Sequence, residues 1–182
     1  MIPGLALDPI LPHICAALLA IVFIGGAWQK LRDMDGLSAA IEQYRLLPPD
    51  LAAPAARALV AAELAAGLLL LPVPTRGTGA ALAAPLLAAV TLAVMINLLR
   101  GRSAIDCGCG GPEGGQHLSW GLVLRNVLLG LAAGAAAMAE APRELVWLDG
   151  LTIIAGTLAL YGLYAAANQL MANRPRLLQL KG

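Results

Sequence analysis

Long apolar stretches constrain the fold of this chain more than any other feature of its sequence. A bilayer hydrocarbon core of about 30 Å requires roughly 20 apolar residues in a helix. Five stretches meet this requirement, and we predict membrane-spanning helices at 10–28, 52–71, 78–99, 118–138 and 145–167. Only 13% of the residues are charged, whereas a soluble domain carries about 25%. The sequence therefore predicts an all-α, polytopic membrane helix bundle in which residues 1–182 form a single domain.

The lysines and arginines are distributed unevenly between the two sides that five spans define. Ten of the 12 fall on one side, and only Arg76 and Arg143 fall on the other. Because basic residues concentrate in cytoplasmic loops, we expect the N-terminus outside and the C-terminus in the cytoplasm. The loop at 100–117 is then expected on the cytoplasmic side. The basic residues are scattered between apolar stretches, and this argues against a nucleic-acid-binding face.

Two cysteines, Cys107 and Cys109, lie in the loop between the third and fourth predicted spans. Two thiols at this spacing can close a small, strained disulfide ring, and Gly108 supplies the backbone freedom that closure requires. Strained, exposed disulfides are labile and suit redox exchange. The alternatives are a metal site that includes Asp106 and His117, and an inert structural loop. Since a single Cys-x-Cys with one histidine lacks the paired spacing of structural zinc modules, we favour the redox role and predict no metal.

The third cysteine, Cys15, lies about five residues into the first predicted span. At about 1.5 Å per residue, roughly 20 Å separate it from the membrane face that bears Cys107 and Cys109. We therefore expect Cys15 to behave as a small buried hydrophobe.

Several ionisable and amide side chains fall within the predicted spans or at their ends, where their burial is costly. They lie from the middle of the membrane toward the side of the Cys-bearing loop. The set comprises Lys30, Arg57, Glu63, Asn97, Arg125 and Asn126. We expect Glu63 to pair with Arg125, Arg57 or Lys30, because an unpaired charge in lipid is strongly unfavourable. This polar cluster either supports a redox site beneath the loop or simply holds the helices together.

The first loop, at 29–51, has amphipathic features. Leu31, Met34, Leu37 and Ile41 recur at helical spacing among charged residues. This pattern favours a segment that lies along the membrane surface.

A set of short motifs covers nearly the whole chain. They are Lys30, Tyr44-Arg45-Leu46-Leu47-Pro48, Glu63, Asp106-Cys107-Gly108-Cys109-Gly110-Gly111, and Leu118-Ser119-Trp120 followed by Arg125-Asn126. In this order they resemble the MauE family of methylamine utilisation proteins, which belongs with the DoxX-like, redox-associated membrane proteins. The Cys-Gly-Cys element with the downstream Arg-Asn is the most specific part. The resemblance implies a four-helix DoxX-like core with one helix added.

The resemblance also implies an accessory role in the maturation of methylamine dehydrogenase, in the bacterial inner membrane. The implied role is processing, transport or disulfide formation of the disulfide-rich small subunit, together with a thioredoxin-like, MauD-like partner. Cys107 and Cys109 would then be the exchanging pair, and no bound cofactor is expected. The alternative is a non-catalytic membrane scaffold or chaperone for the same subunit or its partner. A small-solute transporter is disfavoured because no Gly-Pro breaks interrupt spans at matching positions.

The implied function and the predicted orientation place the chemistry on different sides of the membrane. The dehydrogenase is matured in the periplasm, whereas the charge distribution puts Cys107 and Cys109 on the cytoplasmic side. Three resolutions are open. The pair exchanges electrons from within, the loop folds back into the bundle and is reached from outside, or one apolar stretch does not span.

Overall fold

The computed structural model describes residues 7–108, 117–138 and 143–179, with side chains described as far as Asn173. Helices account for most of this length: α1 (Ile10–Arg32), α2 (Met34–Tyr44), α3 (Ala52–Leu70), α4 (Arg76–Leu99), α5 (Trp120–Ala136) and α6 (Trp147–Gln179). Short 3-10 helices at Pro49–Leu51 and Val73–Thr75 precede α3 and α4. Each of the five predicted spans coincides with a helix.

Four of the helical segments, those of α1, α3, α4 and α6, are long and apolar enough to cross a bilayer. The remaining apolar helix, α5, has 17 residues, which is the lower limit for a span. At its C-terminal end α6 continues beyond the predicted boundary, because Asn168 and Gln169 lower the hydropathy without breaking the helix. The predicted all-α, polytopic bundle is thus confirmed over the described residues.

The core of the bundle is a ring of four helices. Helix α1 packs against α3, α3 against α4, α4 against α5, and α5 closes the ring by packing against α1. Helix α6 lies outside this ring and contacts mainly α1. All four ring helices contribute to the central cluster of buried residues, which includes Leu19, Ala66, Ala83 and Ala133. Because these side chains are mostly small, the helices can approach one another closely.

An ion-pair cluster ties the beginning of α1 to the beginning of α6. Arg143 donates hydrogen bonds to Asp149 at 2.9 Å and to Asp8 at 3.1 Å. The backbone N–H of Ile10 and the Arg143 guanidinium both lower the pKa of the Asp8 carboxyl. Since α1 and α6 begin at the same end, they run parallel. That direction agrees with the alternation expected for five consecutive crossings.

The amphipathic first loop forms α2, which packs against α3. Asp33 caps its N-terminus by accepting a hydrogen bond from the Gly36 N–H at 2.9 Å. Leu37 on the buried face of α2 joins a cluster with Ala56 and Val60 of α3. The apolar stripe that we expected at the membrane surface is therefore used, at least in part, to cover the bundle.

The hairpin between α3 and α4 depends on the absence of a side chain at Gly79. A Cβ atom there would lie 2.7 Å from the Leu70 nitrogen and 2.8 Å from the Leu69 carbonyl carbon, both of them backbone atoms. Gly77, two residues earlier in the same helix, has nothing within 4 Å of an added Cβ. The pair thus offers a matched test of close helix packing.

We predict that Gly79→Ala destabilises the purified protein by about 1–3 kcal/mol, the usual cost of overpacking. Gly77→Ala should be neutral or slightly stabilising, because alanine favours the helix and meets no neighbour. Thermal unfolding of both variants in the same detergent measures the difference. Equal melting temperatures for the two variants would contradict the described packing of α3 on α4.

Candidate functional site

A buried ion pair joins α1 to α3. Lys30 near the end of α1 donates to both carboxylate oxygens of Glu63, and the Nζ–Oε2 distance is 2.6 Å. Only 12% of the lysine side chain and 10% of the glutamate side chain are exposed. Because the charges cancel at contact distance, each offsets much of the other's cost of burial. Among the three partners expected for Glu63, the structure places Lys30 against it.

Arg125 of α5 is held in a network of amides. Its Nε and Nη2 donate to Asn126 Oδ1 at 3.2 and 3.1 Å, and its Nη1 donates to Asn168 Oδ1 of α6 at 2.9 Å. The guanidinium also lies over the ring of Tyr164, 5.8 Å from the centroid. The hydrogen bonds at its edge and the tyrosine ring at its face together fix the orientation of the planar guanidinium. They also connect α6 to the four-helix ring.

The Lys30–Glu63 pair and the Arg125 network line the same cavity. It has a volume of about 440 Å³ and lies between α6 and the helices of the ring. Its walls include the polar residues Gln29, Lys30, Glu63, Arg125, Asn126, Asn168, Gln169 and Asn173. Apolar residues of α1, α4 and α5 complete the lining. A half-open polar cavity therefore lies between α6 and the four-helix ring.

Cys107 lies in an apolar layer above this cavity. It is 7% exposed and packs with Tyr44, Val94, Leu118 and Leu122. Val94 is one turn beyond the cavity residue Val90 in α4, and four residues rise about 6 Å along a helix. The cysteine motif suggested an exposed site, but in the structure the thiol is covered. The reason is that α2 folds back and places Tyr44 beside the loop.

The backbone around Cys107 is held in a defined shape. The Tyr44 hydroxyl donates to the Cys107 carbonyl at 3.4 Å, and Asp106 accepts from the Gly108 N–H at 3.0 Å. Gly108 has a φ of +68°, a left-handed conformation that glycine adopts readily. A Cβ at Gly108 would lie 3.2 Å from the Ala40 Cβ of α2. The Cys-Gly step is thus fitted closely against α2.

Arg102 anchors the start of the Cys-bearing loop. Its Nη2 donates to the Gln43 carbonyl at 2.7 Å, and its Nη1 donates to Asn97 Oδ1 at 3.1 Å. The last carbonyls of a helix lack partners within that helix, so a guanidinium at the end of α2 satisfies them. Through Arg102, the end of α2, the end of α4 and the loop form one unit.

The structure separates the described site residues that we predicted into four locations. Lys30, Glu63, Arg125 and Asn126 line the cavity. Asn97 is fully buried at the base of the loop, where it also donates to the Ala93 carbonyl at 3.0 Å. Arg57 lies on an exposed part of α3, outside the cavity lining. Cys107 lies in the covered apolar layer.

Of the other two cysteines, Cys15 is described by the structure and Cys109 is not. Cys109, the second half of the predicted pair, lies outside the described residues. Cys15 is buried in the central cluster with Ala16 and Leu19, in a different part of the bundle from Cys107. Its surroundings are those of a small hydrophobe, as we expected from the sequence.

Four cavity-lining residues that were not predicted from the sequence lie on α6. Tyr161, Tyr164, Asn168 and Gln169 line the cavity, although we treated the first two as part of an ordinary span and the others as lying beyond it. A signal was present, because Tyr161, Tyr164 and Asn168 follow the spacing of one helical face. Polar and aromatic residues on one face of an apolar helix indicate an inward-facing surface.

Comparison with known proteins gives consistent matches. The family model described as methylamine utilisation protein MauE matches residues 8–139. The chain is 36% identical over 179 residues to the methylamine utilization protein MauE of Paracoccus versutus, covering 96% of both chains. The protein of the same name from Paracoccus denitrificans is 35% identical over 156 residues, covering 84% of this chain and 82% of that one. No solved structure matches the chain.

We predict that Glu63→Ala lowers stability by about 3–5 kcal/mol, because it leaves the Lys30 ammonium buried without its carboxylate. The double variant Lys30→Ala with Glu63→Ala should recover part of this loss. Arg57→Ala, an exposed position on the same helix, is the control and should behave like the unmodified protein. Folded yield and thermal unfolding in detergent measure the effects. The Lys30→Ala single variant completes the cycle. If the double variant loses as much stability as Glu63→Ala and Lys30→Ala together, the pair is not energetically coupled.

Proposed function

Because the chain belongs to the MauE family of methylamine utilisation proteins, we propose that it is a membrane accessory protein for maturation of methylamine dehydrogenase. In this proposal it is a component of a thiol–disulfide relay that uses Cys107 and Cys109. Its partners are a thioredoxin-like, MauD-like protein and the small subunit of the dehydrogenase. The polar cavity beneath the loop is the supporting structure for this exchange.

The observation that supports the relay most strongly is the built environment of Cys107. Hydrogen bonds from Tyr44 and to Asp106 hold the peptide group that joins Cys107 to Gly108. Arg102 fixes the loop to the ends of two helices. A loop that served only as a connection would not need this number of specific contacts. The arrangement suits a residue whose sulfur must occupy a reproducible position.

The proposed chemistry consists of two exchange steps. A thiolate of the thioredoxin-like partner attacks one sulfur of a Cys107–Cys109 disulfide, which breaks that bond and forms an intermolecular disulfide. The second partner thiolate then attacks the intermolecular bond, so the partner leaves oxidised and the pair is left as two thiols. Two electrons have moved from the partner to the pair. The same steps in reverse pass them to a second disulfide couple.

The burial of Cys107 assigns different roles to the two cysteines in this proposal. Attack on a disulfide depends on which sulfur an incoming thiolate can reach. Tyr44 and the apolar layer restrict access to Cys107, which is only 7% exposed. We therefore assign Cys109 as the sulfur that the partner attacks and Cys107 as the sheltered thiol that is released. This division is testable with single-cysteine variants.

A non-catalytic scaffold for the same subunit is the second candidate, and one observation favours it. Covering Cys107 with α2 is the arrangement expected for a cysteine that contributes to packing rather than to exchange. Under the scaffold hypothesis both cysteines could be replaced by serine with little effect on maturation. The relay requires both thiols.

We predict that Cys107→Ser, which retains Cys109, forms a mixed disulfide with an oxidised thioredoxin-like partner: the Cys109 thiolate attacks the partner's disulfide and releases one partner thiolate, and the variant lacks the second thiol that would release the partner. Cys109→Ser should form much less, because its remaining thiol is sheltered. Non-reducing electrophoresis of membranes, followed by mass spectrometry of the linked species, measures the trapped fraction. Cys15→Ser serves as the matched control and should leave trapping unchanged.

Two outcomes would count against the relay. One is that neither single-cysteine variant forms a mixed disulfide while both still support maturation of the dehydrogenase. The other is that Cys107→Ser and Cys109→Ser together leave maturation unaffected, which would support the scaffold instead.

A further inference from the structure

We propose that the cavity between α6 and the four-helix ring binds a lipid-soluble amphiphile whose polar end carries hydrogen-bond-accepting oxygens. The proposal goes beyond the thiol relay and does not depend on it. Three observations support it: the volume of the cavity, the change from apolar to polar residues along its walls, and the open space beside two glycines.

The cavity has the size and position of a small-molecule site. Its volume of about 440 Å³ falls within the range of about 300–1,000 Å³ that ligand pockets occupy. Residues of α1, α3, α4, α5 and α6 all contribute to its lining. Most of these helices are long and apolar enough to cross a bilayer, so the apolar part of the site lies among membrane-spanning segments, whereas Lys30 and Asn168 at its polar end lie just beyond the predicted spans. A ligand that fills the site must therefore have an apolar part that is soluble in lipid.

The lining of the cavity changes from apolar to polar along the axis of the bundle. On α1 they run from Ile21 to Lys30, and nine residues rise about 14 Å. On α6, which runs parallel to α1, they change from Tyr161 to Asn168 and Gln169 in the same direction. The apolar end thus faces the middle of the bundle, and the polar end faces the Cys-bearing loop. An amphiphile matches this gradient with its head toward the loop.

The polar end is rich in groups that donate hydrogen bonds. The guanidinium of Arg125 and the ammonium of Lys30 are both held in place by neighbours from other helices. Amide groups of Asn168 and Gln169 lie on the facing wall. A planar guanidinium in a fixed orientation binds oxygen acceptors well. The ligand oxygens that fit here are ring carbonyls, carboxylates or phosphates.

Two consecutive glycines, Gly25 and Gly26, form part of the α1 wall. An added Cβ at either position would meet nothing within 4 Å. Glycine weakens a helix interior relative to alanine, and here no close helix contact explains its presence. The glycines leave space in the cavity that a side chain would fill. They also offer a way to block the site without disturbing the packing.

Two kinds of molecule share the required chemistry, namely quinones and acidic lipids. The test uses the full chain purified in detergent, with decylubiquinone as the quinone probe and dioctanoyl phosphatidylglycerol as the lipid probe. Equilibrium affinity is measured for the unmodified chain, Gly26→Leu and Gly130→Leu. Gly130 in α5 has the same open space around an added Cβ but does not line the cavity. Gly25→Leu is the second blocking variant if Gly26→Leu does not fold.

We expect at least one probe to bind saturably, with an affinity at least tenfold weaker in Gly26→Leu and unchanged in Gly130→Leu. Selective binding of decylubiquinone assigns the site to quinones, selective binding of the lipid assigns it to an acidic headgroup, and binding of both supports the shared chemistry. Absence of saturable binding of either probe, or equal affinities in the blocking and control variants, would overturn the proposal. Repeating the measurement in the Cys107→Ser, Cys109→Ser chain separates it from the relay, because binding should persist there.

Discussion

The buried ion pair between Lys30 and Glu63 is the interaction on which the interior of this protein depends. A lone lysine or glutamate within the depth of a bilayer is strongly unfavourable, so neither residue could lie between α1 and α3 without the other. The pair places polar atoms between the helices, and the Arg125 network adds further polar atoms to the same cavity. Between them remains a cavity that apolar packing alone would have closed.

The Cys-bearing loop is built onto the same end of the bundle. Arg102 joins the loop to the ends of α2 and α4, and Tyr44 reaches from α2 to the Cys107 carbonyl. Cys107 packs in an apolar cluster that borders the polar cavity, because Val94 and Leu122 in this cluster each lie four residues, about one helical turn, from a cavity-lining residue of the same helix. Because α4 and α5 contribute to both levels, a movement of either helix would change the loop and the cavity together. This shared framework gives a physical basis for linking the cysteine chemistry to the membrane interior.

The positions of the helices could be predicted from the sequence, because whether a segment can cross a bilayer depends on the hydropathy of that segment alone. Which side chains contact one another between helices could not be predicted in this way. Glu63 had three candidate cations, and the packing of α1 on α3 is what places Lys30 against it. The contacts of helix α6 could not be predicted either. Asn168 reads locally as the end of a span, and its role becomes visible only when α6 is placed beside Arg125. The covering of Cys107 likewise depends on the fold-back of α2.

In the proposed relay, Cys107 and Cys109 form a redox-active pair at one defined side of the membrane. Thiol labelling of intact and permeabilised cells, before and after mild reduction, tests it most directly in a Cys15→Ser background. We expect a membrane-impermeant maleimide to label Cys109 only after reduction, and only once the cytoplasmic side is accessible, whereas the sheltered Cys107 should be labelled much more slowly. Equal labelling with and without reduction, under conditions in which the loop is reached, would contradict it.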